Sequence, residues 1–334
     1  MQKRTRLERA LGGEPVDRPP VALWRHWPGD DQHAGALAAS TLRFQQAYDW
    51  DFVKLTPNGA YSVRDWGVRS VWDGDPEGSR TITQRPIQTP EDWRSLRPLS
   101  PTQGMLGEML QTLRWVRRGL GPATPLFHTV FSPLAQAQRL AGPAFFQHLR
   151  DAPDLVRAAL DVITETTVDY LAHVRRAGAD GLFYAVQWAD AHTWTRDAYR
   201  QWGEPWDRQV LKAAAQVFDF ILLHIHGSRI FFDLFVDYPV HAINWHDRET
   251  PPSLAEGLQR FKGAVVGGIS QQTLAYGTVE EVHAEAQDAL QQTGARRFIL
   301  GTGCVTLITT PAENVRAVRA AVHTRFPERA REAG

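Results

Sequence analysis

The sequence predicts a (β/α)8 barrel of the TIM type, on three observations. Eight short, β-rich apolar runs recur along the 334 residues, helix-like segments separate most of them, and seven of the eight runs end in polar side chains. Strands alternating with helices imply a parallel sheet, and runs that are apolar on both faces suit strands held between a core and a helical shell. Eight is the number that closes such a sheet on itself. The competing architecture is an open doubly wound sheet with a Gly-rich phosphate turn. No G-x-G-x-x-G follows the first strand, and "GGEPVDRPP" precedes it instead.

Taken in order, "PPVALWRH" (19–26) is the first strand. A helix around "ALAASTLRFQQAYDW" leads to the second, "DFVKLTP" (51–57). Residues 62–105 break the rhythm: they are polar, rich in Asp, Pro and Trp, and read as a turn-rich insertion. "TPLFHTVFS" (124–132) is the third strand. The amphipathic stretch "APDLVRAALDVITETTVDYLAHVRRAGA" precedes the fourth, "DGLFYAVQW" (180–188). "RDAYRQWGEPWDRQVLKAAAQVF" is helical and leads to "FILLHIHG" (220–227), followed by "HAINWH" (241–246), "GAVVGGIS" (263–270) and "RRFILGTGC" (296–304). "TVEEVHAEAQDALQQTG" has Thr278 as N-cap and Gly294 as its stop. "TPAENVRAVRAAVHTRF" has Thr310 as cap and Pro311 at the first helical position. No linker or internal repeat divides the chain, so residues 1–334 are expected to form one domain.

Composition narrows the function classes. Formal net charge is zero, which argues against nucleic acid as a partner. One cysteine cannot form an internal disulfide, the first residues lack the apolar core of a signal peptide, and no run approaches a membrane span. A cytoplasmic protein acting on a small molecule is the expectation. The 12 tryptophans include Trp24, Trp27, Trp66, Trp188 and Trp245 near strand ends, as core aromatics or as the walls of a flat pocket.

In a barrel the chemistry sits at the C-terminal ends of the strands. The polar residues there are Arg25 and His26, Lys54, Thr56 and Asn58, His128 and Ser132, Tyr184 and Gln187, His224 and His226, Asn244 and His246, and Thr302 and Cys304. Polar groups on buried strands cost free energy unless satisfied, so a shared site explains them better than chance. His224 and His226 are two apart and share one face of their strand. Two imidazoles so placed suit one tetrahedral cation, with a thiolate from another strand as third ligand and one position open for catalysis. Zinc fits that donor set. On spacing alone the alternative stays open: hydrogen-bonded core histidines and Cys304 as a small buried hydrophobe. Arg25 is a candidate for a substrate carboxylate or phosphate, or for an ion pair with Asp30 or Asp31. Lys54, Asn58 and Gln187 are candidate substrate-binding groups. His128, Tyr184 and His246 are candidates at the catalytic centre, with Tyr184 better suited to hydrogen bonding and His128 equally readable as a satisfied barrel histidine. His246 and Asp247 are adjacent and face opposite ways, so they are not expected to touch.

The segments "RLERALGGEPVDRPPVALWR", "DGLFYAVQWAD…YRQWGEPWDRQVL", "AVVGGISQQTLAYGTVEEVHAEAQDAL" and "FILGTGCVTLITTPAENVRAVRAAV" together resemble the uroporphyrinogen decarboxylase (URO-D) superfamily over nearly the whole chain. The resemblance implies the same (β/α)8 barrel. One branch of that superfamily decarboxylates uroporphyrinogen without a cofactor. The other moves methyl groups between a corrinoid and a thiol on zinc held by H-x-C and a distant Cys. The decarboxylase motif R-Q-A-G-R-Y is matched here by "RHWPGD", which keeps Arg25 and has Gly29 for the second Arg. "KLTPNG" lacks the carboxylate, and Thr302 stands at the position of the C-terminal His. "HIHG" stands where the methyltransferase branch has H-x-C-G, with His226 for the cysteine, and Cys304 stands at the distal Cys. The resemblance therefore implies a zinc site of His224, His226 and Cys304, and methyl transfer from a corrinoid carried by a partner protein to a thiol-like acceptor. The alternatives are a decarboxylase-like lyase and a non-catalytic binder of a corrinoid or tetrapyrrole.

Overall fold

The computed structural model describes residues 1–323. Its strands are β1 (Val53–Leu55), β2 (Arg69–Val71), β3 (Thr81–Gln84), β4 (Leu126–Phe131), β5 (Gly181–Val186), β6 (Phe220–Ile225), β7 (Ala242–Trp245), β8 (Ala264–Ile269) and β9 (Phe298–Thr302). Seven of them form one parallel sheet in the order β1-β4-β5-β6-β7-β8-β9. Spatial order follows chain order and the sheet curls; helices make the connections to the next neighbour, except from β6 to β7, where there is only a short 3-10 turn at Phe232–Leu234.

The first expected strand is reduced to an isolated parallel bridge between Val21 and Leu300. Pro19 and Pro20 have no N–H to give to a ladder. The segment still makes backbone bonds on both sides. Ala22 N donates to Leu300 O (3.1 Å), Leu300 N to Pro20 O (2.9 Å) and Asp51 N to Val21 O (3.0 Å). It thus lies between β9 and the residues entering β1.

Inside the sheet, aromatic rings stack into a plug. Trp24 meets Phe183 at 5.3 Å and Phe52 at 6.4 Å, Phe52 meets Phe127 at 4.8 Å, and Phe127 meets Phe220 at 5.9 Å. Gly181 makes room for it, because a Cβ there would lie 2.6 Å from the Phe127 ring. Burying each ring is worth roughly 1.5–3 kcal/mol. The helix Pro153–Arg176 buries Val156, Leu160, Ile163, Tyr170, Leu171 and Val174 on one stripe.

The helix Val279–Thr293 carries the expected cap, a capping box of Thr278 and Glu281, and stops at Gly294 with φ +59°. Two expectations are corrected. The stretch 196–218 is two helices, Arg196–Trp202 and Glu204–Ala214, parted at Gly203, where a Cβ would lie 2.6 Å from the Tyr199 ring. The last helix is Ala312–Ala321 with Pro311 as N-cap, and the Thr310 hydroxyl is buried without a partner instead of capping. The end of that expected helix, 324–326, lies outside the described residues, as do the remaining residues to 334.

Within the irregular stretch 62–105, β2 and β3 form an antiparallel hairpin. Its connecting loop is fixed from within and without. Asp75 Oδ1 accepts from Glu77 N (2.9 Å) and Ser79 N (3.2 Å), and Ile308 N donates to Pro76 O (2.8 Å). Gly78 has φ +78°, and a Cβ there would meet the His26 Cβ at 2.7 Å, so the loop rests directly on the residues after the Val21 bridge.

Candidate metal centre

At the C-terminal ends of the strands, His224, His226, His246 and Cys304 offer ligand atoms that all lie within 4.8 Å of one another. Cys304 Sγ is 3.7 Å from His224 Nε2 and 3.7 Å from His226 Nδ1. The His246 ring centroid lies 5.2 Å from that of His226 and 6.0 Å from that of His224. His224 of β6 and His226 directly after it do share a face with a cysteine from the turn after β9. The sequence reading set His246 apart as a candidate catalyst, and the structure adds it to the cluster.

The donor set suits zinc, and three observations show how it is prepared. Asn244 Nδ2 donates to Val266 O (2.9 Å) and to Thr302 O (3.0 Å), which leaves Oδ1 as its only free function. His224 Nδ1 meets that Oδ1 at 2.7 Å, so Nδ1 carries the proton and Nε2 turns a lone pair toward Cys304. His246 Nε2 is buried with no partner. Burial holds His224 well below the usual imidazole range, aided by His226 and His246, and pushes His246 down to about 4. Neutral imidazoles are the form that binds a metal. Burial pushes the Cys304 thiol up to about 12, further raised by Glu77 and Glu249. A cation between these groups would satisfy the orphaned nitrogen and supply the charge a thiolate needs.

The cluster opens on a cavity of about 70 Å³ lined by Trp24, Lys54, Glu77, Phe183, Gln187 and Cys304, among others. Phe183 stacks on His224 at 5.6 Å. Lys54 Nζ lies 4.3 Å from the Phe183 ring centroid and 3.2 Å from Thr56 Oγ1, and burial pushes it down to about 7. Gln187 Oε1 accepts from Arg139 Nη2 at 2.6 Å.

Other candidates lie elsewhere. His128 is on the helical face of β4, with Nε2 3.3 Å from both Tyr61 and Tyr170 hydroxyls. Tyr184 donates at 2.6 Å to Asp207 of the surrounding helices. Both differ by one position from cavity-lining neighbours, Thr129 on β4 and Ala185 on β5, and one step along a strand reverses the face. Asn58 braces its own loop, accepting from Ala60 N (3.1 Å) and donating to Asp31 O (3.4 Å). Arg25 pairs with neither Asp30 nor Asp31. Its guanidinium lies 4.5 Å from the Trp27 ring centroid and donates to Ile308 O (3.1 Å), while Asp31 pairs with Arg80 (3.1 Å). His246 and Asp247 diverge as expected: Asp247 accepts from Gly268 N at 3.0 Å. Of the strand-end tryptophans, Trp24 lines the cavity and Trp245 points outward to Pro252 O (2.9 Å). Sequence reasoning missed Glu77 and Arg139. Glu77 stands on a hairpin loop with no periodicity to place it. The only trace of Arg139 is a lone cation in the apolar helix Pro133–Ala141.

Comparison with known proteins shows the family and the fold. The family model described as uroporphyrinogen decarboxylase (URO-D) matches residues 2–325. The methylcobamide:CoM methyltransferase MtbA of Methanosarcina acetivorans is 22% identical over 328 residues, spanning 93% of this chain and 94% of its own. The methylcobamide:CoM methyltransferase MtaA of Methanosarcina barkeri is 24% identical over 338 residues, spanning 95% and 96%. The solved structure of a methyltransferase from Methanosarcina mazei superposes with a TM-score of 0.84 at 24% identity, covering 97% of this chain and 98% of that one, which shows a shared fold.

Proposed function

The chain belongs to the uroporphyrinogen decarboxylase family, and on that premise we propose that it is a methyltransferase-like enzyme that moves a methyl group between a corrinoid and a thiol. The observation that carries this reading is the His/Cys cluster at the mouth of the sheet. The relatives named as methylcobamide:CoM methyltransferases, aligned over almost the whole chain, support it. The reading takes residues 19–26 as the eighth strand of a single-domain barrel. It sets the enzyme in the cytoplasm, where thiols stay reduced, with the corrinoid on a partner protein.

His224, His226 and Cys304 would hold zinc, and His246, whose Nε2 is buried without a partner, would be a fourth donor that an incoming thiol displaces. Zinc there supplies a Lewis acid that keeps a bound thiol ionised at neutral pH. Asn244 fixes the proton on His224 Nδ1, so its Nε2 stays available as a donor. Trp24, Phe131 and Phe183 wall the cavity and exclude water from the sulfur. Lys54 places a cation beside the acceptor. A cavity of about 70 Å³ suits a small thiol and not a tetrapyrrole, and Gly29 and Thr302 stand where the resemblance calls for the decarboxylase Arg and His. Protein purified without added metal should contain close to one equivalent of zinc, and Cys304→Ser should lose it. Protein with neither zinc nor affinity for it would sink the reading. With zinc bound, the protein should demethylate methylcobalamin only when a thiol is present, followed as the change in corrin absorbance.

A further inference from the structure

We propose that the acceptor is a zwitterionic thiol, an α-amino acid with a short thiol side chain, its carboxylate held by Lys54 and its ammonium by Glu77. This rests on the methyl-transfer reading above and names the substrate class it would use.

Lys54 and Glu77 line the same cavity as Cys304, one from β1 and the other from the β2–β3 loop. Lys54 has a single polar side-chain contact, Thr56, and aromatic faces around it. Glu77 accepts only from Gln271 Nε2 at 3.3 Å. Among the described residues neither forms an ion pair with any group, nor with the other. Lys54 is buried and Glu77 part-buried, each without an ion-pair partner, and the usual remedy for such a pair is a mutual salt bridge. Here both are left facing the same cavity. A ligand with both charges would satisfy the two groups together.

The surroundings reinforce this polarity. Arg139, buried over the Phe131 ring at 4.1 Å, has no carboxylate partner among the described residues and holds Gln187 on the cavity wall. Asp75 and Glu249 add negative charge near Glu77. Glu77 also selects against the alternatives. A mercapto acid without an ammonium would leave it unpaired and beside another anion. An aminothiol without a carboxylate would leave Lys54 unpaired. The loop is set firmly enough to discriminate, through Asp75, Ile308 and the seat of Gly78 on His26.

The test is calorimetric titration of the zinc-loaded protein with L-homocysteine, 4-mercaptobutyrate and 3-aminopropane-1-thiol. These share a sulfur and three-carbon chain and differ in their charges. Homocysteine should bind about tenfold or more tighter than either, since one charge-assisted contact is worth that much. Glu77→Gln should erase the preference over 4-mercaptobutyrate, and Lys54→Met the preference over the aminothiol. Equal or tighter binding of 4-mercaptobutyrate to the unaltered protein, or a preference unchanged in Glu77→Gln, overturns the proposal. The ligand series on the unaltered protein is decisive even if a variant misfolds. Cobalt-substituted protein separates the two levels of the argument. Sulfur-to-cobalt charge transfer that rises above the Cys304 band with all three thiols at equal affinity defeats the zwitterion assignment alone. No increase over the Cys304 band with any thiol defeats the metal–thiol reading and this one with it.

Discussion

Asn244 shows how much one uncharged residue can decide. Its two N–H groups are committed to Val266 O and Thr302 O, so its oxygen dictates the tautomer of His224. Asn244→Ala should therefore weaken zinc binding about 10- to 100-fold while leaving all four cluster residues in the sequence. Competition with a zinc-binding dye measures this directly, and an unchanged affinity would show that the orientation of His224 does not matter. At this scale the sequence reading was uneven for a physical reason. His224 and His226 were legible because a spacing of two guarantees a common face. His128 and Tyr184 were misplaced because the absolute phase of a doubly buried strand cannot be read from its own residues. Both faces are apolar, and only the neighbouring strand reveals which faces inward. Glu77 was invisible, since a loop residue reaches a site through tertiary structure alone.

The elements around the site are held by two devices that make separate predictions. The turn after β9 lies directly on the end of β7: a Cβ at Gly303 would sit 2.6 Å from His246 Cα and 2.9 Å from Trp245 O. Gly303→Ala should push Cys304 away from the histidines and reduce zinc affinity by about tenfold or more, because a shift of even 1 Å spoils ligand geometry. On the outer face, Asp207 accepts from Tyr184 (2.6 Å) and Tyr199 (2.7 Å), tying β5 to both helices that follow it. Burial pushes this carboxyl up to about 7, against the pull of the two tyrosines. Its folded value lies above its unfolded one, so its contribution is complete at acid pH and is lost as pH rises toward 7. The decline should approach about 1.4 kcal/mol per pH unit between roughly 4 and 7. Denaturant melts across that range should show the parent protein losing stability more steeply than Asp207→Asn by about this slope, since Asp247, also pushed up to about 7 by burial, contributes equally to both. Helix ends governed by local chemistry, such as Thr278 and Gly294, could be read from sequence. The break at Gly203 follows from the close approach of Tyr199, and the loss of the first strand from two prolines whose neighbours had to be known.

For the molecule as a whole, the succession of strands and helices was enough to read a curled parallel sheet with its site at the C-terminal ends. How the first segment joins the last strand was not, because that bond pattern connects residues nearly the full chain apart. The opposite end is secured at Asp51, which is fully buried. It accepts from Arg6 (2.8 Å), from Arg18 (2.6 and 3.0 Å) and from Val21 N (2.8 Å), binding the first helix, the Val21 segment and the entry to β1 together. Asp51→Ala should cost about 3–5 kcal/mol by leaving Arg18 without a counter-charge and Arg6 with Asp17 alone. Urea unfolding monitored by tryptophan fluorescence would measure that loss, and a cost below about 1 kcal/mol would mean the arginines find water instead. This fastening and the His/Cys cluster stand at opposite ends of strands of up to about six residues, roughly 20 Å apart. Heritable change at one end is therefore largely free of penalty at the other. A lineage built on this scaffold can exchange a side chain at the site without loss in folding, and that latitude makes the architecture evolvable.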